Sequence, residues 1–306
     1  MSTIDLYVER APLRFAGASA PLEGATYAVL GVPFDSTSSY RPGSRFAPLS
    51  IREASLNIES NSLTGVGFFI EEVSISDLGD LAVVHGDSKE TLRRVESVVG
   101  ELAGSGIIPV VLGGEHTITA GVMRGFSRAG LRPCLLVFDA HLDLREDYLG
   151  CKYGHASAIR LAREAVGPEI IAYVGARAYA REELEYASSL GDSILVVSPV
   201  EVKKLGPSAV ASHLRNRLSR CEAVYLSFDI DALDPAYAPG TGTPEPMGLD
   251  AFEVFRILSL TVDERFVGMD LVEVNPLVDR AGVTSILAAR IVQEFILLRE
   301  GGKRAR

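Results

Sequence analysis

The sequence predicts an α/β fold: one parallel sheet with helices on both faces. Two observations carry this. Apolar runs of four to eight residues alternate with helix-like stretches of ten or more through most of the chain. Several of those runs end on a histidine or carboxylate, and open α/β sheets place their sites beyond the carboxyl ends of their strands. His116, Asp139, Asp229 and Glu273 all fall at such ends.

In chain order, Thr26–Phe34 reads as the first strand, and 35–48 as a polar loop punctuated by Gly and Pro. Residues 49–56 read as a short helix and 73–81 as a second strand. Ser88–Leu102 has helical periodicity with an acidic start at Asp87 and Glu90. Ile107–Leu112 is a strand and Thr117–Arg128 a helix with Ile118, Val122 and Phe126 four residues apart. The run from Cys134 is a strand ending at Asp139, and His155 opens a helix to about Val166. Strands follow at 170–174 and 194–197, with helices at 182–190 and 207–218. Ala223–Phe228 is a strand; 238–246, with three prolines and two glycines, is a loop. A helix at 250–260, a strand at 266–274 and a helix at 284–298 complete the chain, with a basic tail at 303–306. There is no repeat, low-complexity tract or linker, so a single domain over 1–306 is expected.

Composition narrows the function classes. The 306 residues are 47% apolar and 23% charged, an ordinary globular balance. A formal net charge of −10 argues against a nucleic-acid partner; it fits a cationic substrate, or a surface that keeps the protein soluble. No apolar run approaches 18 residues, and no signal-peptide core precedes Gly17, so neither a membrane partner nor export is expected. The three cysteines, Cys134, Cys151 and Cys221, have no metal-ribbon or C-x-x-C spacing. A reducing cytoplasm is the simplest inference, with Cys134 and Cys221 buried as thiols at the starts of strands.

The centre of the chain is Phe138-Asp-Ala-His-Leu-Asp143. In an extended chain Asp139, His141 and Asp143 share one face. Residues i and i+4 of a strand lie roughly 13 Å apart, too far for one ion. Either the chain bends after His141, or two metals share the ligands, or both. Ser227-Phe-Asp-Ile-Asp231 repeats the design, and Gly113-Gly-Glu-His116 puts a histidine just past another strand. Carboxylates at the ends of buried strands are costly unless cations compensate them. His116, Asp139, His141, Asp143, Asp229 and Asp231 are therefore the candidate ligands. Four carboxylates and two imidazoles suit two divalent ions, with Mn²⁺ a natural choice. His85 and His213 lie outside every motif and are expected at the surface.

These motifs, together with Asp234-Pro235 and Glu273-Val-Asn-Pro276, resemble the arginase/agmatinase family of ureohydrolases, in the family's order. The resemblance implies a three-layer α/β sandwich with a central, mostly parallel sheet of about eight strands. It implies two Mn²⁺ per chain sharing a hydroxide. His116, Asp139, Asp143 and Asp229 would hold one, and Asp139, His141, Asp229 and Asp231 the other. It also implies His155 as proton shuttle, Glu273 as partner of a substrate guanidinium, and a homotrimer or homohexamer; the carboxylate of Asp143 can accept a hydrogen bond from that hydroxide and later pass a proton to the leaving amine. The chain departs from the pattern at Glu115, often Asp, and at Ala156, often Gly.

The substrate is a small cationic guanidino compound on this reading. Gly31-Val-Pro-Phe-Asp35, Ser39-Tyr-Arg-Pro-Gly43 and Pro239–Pro246 are closer to agmatinases; Asp270-Leu-Val-Glu273 leans toward arginases. Arg145, Glu146 and Asp147 follow the central motif and can serve either end of a substrate. Agmatine hydrolysis is preferred. Hydrolysis of arginine, guanidinobutyrate or an aminopropylated agmatine, and a silent scaffold, remain as alternatives.

Overall fold

The computed structural model describes residues 2–67 and 69–304. Its centre is a nine-stranded sheet. In chain order the strands are β1 (Val8–Glu9), β2 (Tyr27–Val32), β3 (Ile75–Leu81), β4 (Ile108–Gly113), β5 (Cys134–Phe138), β6 (Ile171–Val174), β7 (Ile194–Val197), β8 (Val224–Asp229) and β9 (Phe266–Val272). The helices are α1 (Thr3–Tyr7), α2 (Ala47–Ser55), α3 (Ser88–Gly104), α4 (Ile118–Arg128), α5 (Ala158–Val166), α6 (Arg181–Ser189), α7 (Pro199–Leu205), α8 (Pro207–Leu218), α9 (Ala251–Thr261) and α10 (Val283–Arg304). Spatial strand order is β1-β3-β2-β4-β9-β8-β5-β6-β7. Eight strands, β2 to β9, run parallel, and the two-residue β1 adds antiparallel to β3 at one edge.

The expected α/β sandwich is thus the observed one, and its layers follow from period-two alternation. Along β5, Leu136 and Phe138 join one core while Leu135 and Val137 join the other. The first core takes apolar residues from α2, α8, α9 and α10, including Ile51, Leu214, Ile257 and Val292. The second takes them from α3, α4 and α5, including Val95, Phe126 and Ile159. Strands buried on both faces read as unbroken apolar runs, which is why they are legible.

Three elements depart from expectation. α1, β1 and α7 were not anticipated: the first two are very short, and α7 begins at Pro199, whose ring suits a first helical position. Ser198 and Glu201 form a capping box there. The expected basic tail is helical through Arg304; Ala305 and Arg306 lie outside the described residues. His85 and His213 are exposed, as expected.

The cysteine expectation is corrected. Cys134 and Cys221 are buried but form a disulfide, with Cα atoms 6.0 Å apart. β5 and β8 are neighbours, and Cys134 stands opposite Val224. Eighty-seven residues separate the two cysteines, so spacing gave no cue. Cys151 is the free thiol. The bridge ties together the entrances of the two strands whose exits carry Asp139 and Asp229. Among the described residues no helix is long and apolar enough to cross a membrane.

Closing a loop of this length removes about 4–5 kcal/mol of chain entropy from the unfolded state. Thiol titration of denatured, unreduced protein is expected to find one thiol, and three after reduction. The Cys134→Ser, Cys221→Ser double variant is expected to unfold at a lower temperature. Three thiols without reductant would reject the bridge.

Candidate active site

Four adjacent strands, β4, β9, β8 and β5, deliver the site residues from their carboxyl ends. Behind β4 the chain passes through Gly114, where a Cβ would meet the Phe34 carbonyl oxygen at 1.8 Å, so only glycine fits. Gly114 N–H donates to the Val32 carbonyl, and the Gly114 carbonyl accepts from Glu273 N–H at 2.8 Å. This close approach fixes His116 and Glu273 against each other, and His116 N–H donates to Glu273 Oε1 at 2.8 Å.

The sequence reading left open whether the chain bends or two metals share the ligands. The chain does bend: β5 ends at Phe138, and Asp143 takes a left-handed φ of 50°. That turn brings Asp143 Oδ2 to 3.0 Å from His116 Nδ1. Glu273 has φ of 64°. Left-handed backbone at a non-glycine residue costs of order 1 kcal/mol or more and clusters at functional sites.

The six expected ligands come together. His116 Nδ1 lies 3.1 Å from Asp139 Oδ2 and 3.5 Å from Asp229 Oδ2. His141 Nδ1 lies 3.5 Å from Asp139 Oδ1 and 3.1 Å from Asp231 Oδ2. Two groups, His116/Asp139/Asp229 and Asp139/His141/Asp231, each have ligand atoms within 4.8 Å of one another and could hold a metal ion. Asp139 is common to both. Asp229 stands in the first group, and Asp143 stands beside it.

The donor atoms fit cations. His116 Nδ1 and Asp139 Oδ2 are buried with no hydrogen-bond partner. His116 Nε2 is 2.9 Å from Ser227 Oγ, so Nδ1 faces only carboxylate oxygens. Burial opposes protonation of His116, but Asp139 and Asp143 outweigh it and hold its pKa well above the imidazole range. Burial likewise opposes a charge on His141, yet Asp231 and Asp139 push its pKa up to about 12. Burial and then Asp139 push Asp143 up to about 7. Burial, Asp231 and Asp139 hold Asp229 well above the carboxylate range, and burial with Glu115 does the same for Glu273. Left to itself, the cluster would keep protons that cations would replace.

Support residues that the sequence reading missed lie behind the ligands. Asp270, fully buried, accepts from Ser227 Oγ at 2.7 Å, Thr119 Oγ1 at 2.8 Å and Tyr225 OH at 2.9 Å. It thereby orients the serine that meets His116. An aspartate inside the apolar strand Phe266–Val272 was the available signal. Glu115 is no ligand: it accepts from Thr37 N–H, Thr37 Oγ1 and Thr117 Oγ1. Thr37 Oγ1 in turn accepts from His155 N–H at 3.1 Å. His155 Nε2 is 3.1 Å from Ser39 Oγ, and burial lowers its pKa, which favours the neutral ring.

A cavity of about 320 Å³ opens over these groups. His141, Asp143, Asp229, Glu273 and His155 face it, as do Ser39, Arg145, Tyr148, Glu183, Thr243 and Glu245. The loops 39–43 and 239–246, expected near a substrate, therefore contribute Ser39, Thr243 and Glu245. Glu146 instead sits 3.5 Å from Arg160, and Asp147 accepts from Gly150 N–H.

Comparison with known proteins agrees with this geometry. The model of the arginase family matches residues 25–298. The agmatinase of Halalkalibacterium halodurans is 37% identical over 273 residues, covering 88% of this chain and 90% of that protein. The guanidinobutyrase of Pseudomonas aeruginosa is 34% identical, covering 92% and 89%. The crystal structure of agmatine ureohydrolase of Thermoplasma volcanium superposes with a TM-score of 0.86 at 38% identity, covering 97% of each chain. The chain belongs to the arginase family and is a hydrolase of guanidino or amidine compounds.

Proposed function

We propose that the protein is a binuclear manganese ureohydrolase that converts agmatine and water to putrescine and urea. The oxygen-rich donor set, four aspartates with His116 and His141, suits Mn²⁺. Bound divalent cations make a strong nucleophile available from water at neutral pH. The residues of the chain do the rest. Glu273 pairs with the guanidinium and holds its carbon at the site, since five carboxylates less the four charges of two divalent ions leave one negative charge for it. Asp143 accepts a proton from the attacking water and delivers it to the departing amine as the C–N bond breaks. His155, neutral and half-buried beside Ser39, moves protons between cavity and solvent.

The choice of agmatine rests on the state of Arg145. Its guanidinium could receive the carboxylate of arginine or of a guanidino acid, and its place on the cavity lining is the observation that favours those substrates. Yet Nη1 donates to Glu182 at 2.9 Å, Nε lies 3.7 Å from Glu183, and the group stacks 4.7 Å over Tyr148. Two carboxylates, Glu182 and Glu183, thus stand against the one guanidinium of Arg145. An ammonium tail is favoured there, and a carboxylate would compete with Glu182 and Glu183 for Arg145.

Two outcomes are expected. Elemental analysis finds two divalent ions per chain; Asp139→Ala loses both, and Asp270→Asn, with its fold intact by circular dichroism, binds metal ~10-fold or more weakly. One ion in the native protein, or activity after exhaustive chelation, contradicts the binuclear reading. In parallel kinetics agmatine is expected to exceed arginine in kcat/KM by on the order of 10²-fold. Equal or better use of arginine rejects the agmatine assignment and leaves the hydrolase class intact.

A further inference from the structure

The two acids that hold Arg145 are not equivalent. Glu183 is buried, and its carboxylate accepts from Leu144 N–H at 3.1 Å and from Ala180 N–H at 2.8 Å. It closes the start of α6 and fixes the chain just past Asp143, so its position is set by backbone. Glu182 is different. Its side chain is 61% exposed, and the partner of its carboxylate among the described residues is Arg145 Nη1. Arg145 is itself only 28% exposed and stays at the cavity by stacking on Tyr148. Glu182 is not itself part of the cavity lining or the carboxylate cluster and meets the cavity only through Arg145.

We infer that Glu182 is a specificity-determining positioning residue: by engaging Arg145 it selects guanidino compounds with a cationic tail over those with an anionic tail. The inference rests on the reading above, in which the guanidinium is held at Glu273 and the tail meets the Arg145 wall. An exposed ion pair of this kind is weak. Its loss frees Nη1 at little cost to the fold, while the stack on Tyr148 and the neighbouring Glu183 keep the guanidinium at the wall. A freed guanidinium presents two N–H groups to a carboxylate and no donor-acceptor match to an ammonium. One exposed residue on the first turn of a helix would then divide guanidino amines from guanidino acids.

The test compares kcat/KM for agmatine and 4-guanidinobutyrate in the metal-loaded wild-type enzyme, in Glu182→Gln and in Glu182→Ala. The ratio of the two constants is independent of the fraction of protein that is folded or fully metallated, so a purely structural effect of either variant leaves it unmoved. The ratio is expected to shift toward the acid by about tenfold, mainly through a lower KM for the acid. Adding Arg145→Ala to either variant is expected to abolish the shift. A ratio that moves less than twofold in both variants, or a shift that survives loss of Arg145, overturns the inference. A wild-type enzyme that already prefers the acid overturns the agmatine reading instead, and the change of ratio on substituting Glu182 still decides whether that residue governs Arg145.

Discussion

Everything at the site depends on the burial of like charges. Asp139, Asp143, Asp229, Asp231 and Glu273 stand at or just past the ends of adjacent strands and are all buried. Two unit charges 4 Å apart repel by about 4 kcal/mol even at an effective dielectric of 20. Several such pairs would exceed the whole stability of a typical domain, about 5–15 kcal/mol. The cluster therefore exists in one of two conditions. It shares protons, which is what the raised pKa values of Asp143, Asp229 and Glu273 and the charged imidazoles of His116 and His141 express. Or it holds cations. The orphaned Nδ1 of His116, ringed by carboxylate oxygens, is satisfied fully only in the second.

That requirement explains why the supporting structure is stiff. A cation site tolerates little drift of its ligands, and the candidate ligands stand at strand ends or within a few residues of them. Gly114 lets its backbone approach that of Phe34 where any side chain would collide, and its carbonyl accepts from Glu273 N–H beside the His116–Glu273 hydrogen bond. Asp270 spends a buried charge on three hydroxyl groups, one of which is the serine behind His116. Such a charge is expensive unless fully hydrogen-bonded, and here three donors meet it. The disulfide joins β5 and β8 at the end remote from the ligands, so the two strands that carry most of the aspartates are coupled at both ends.

What was legible in the sequence follows the same physics. Apolar strands running into carboxylates are a local signal, and they located β4, β5, β8 and β9 together with all six candidate ligands. The spacing of Asp139 and Asp143 left a bend after His141 or two shared metals open, and the turn at Asp143 shows that the chain bends. Pairings across long stretches of chain were not legible. Cys134 meets Cys221, Ser227 meets Asp270, and Thr37 meets Glu115 only because the sheet order is β4-β9-β8-β5 and the loops cross above it. Arg145 belongs to the same class. Its residue type and its place after the central motif showed that it borders the site, but its two carboxylate partners lie 37 and 38 residues away on α6.

This division between local and long-range information has a functional counterpart. The groups proposed to act on the guanidinium are held by strand ends, glycine contacts and buried hydrogen bonds, each intolerant of substitution. The groups that line the rest of the cavity come from three loops and the first turn of α6: Ser39, Arg145, Tyr148, Thr243, Glu245 and Glu183. Glu182 is more exposed than any ligand of the cluster and bears no backbone bond. Exchange there alters the charge beside Arg145 without touching the carboxylate cluster. In this chain the carboxylate cluster and the cavity wall around Arg145 are held by different elements, the first by strand ends and the second by loops and α6.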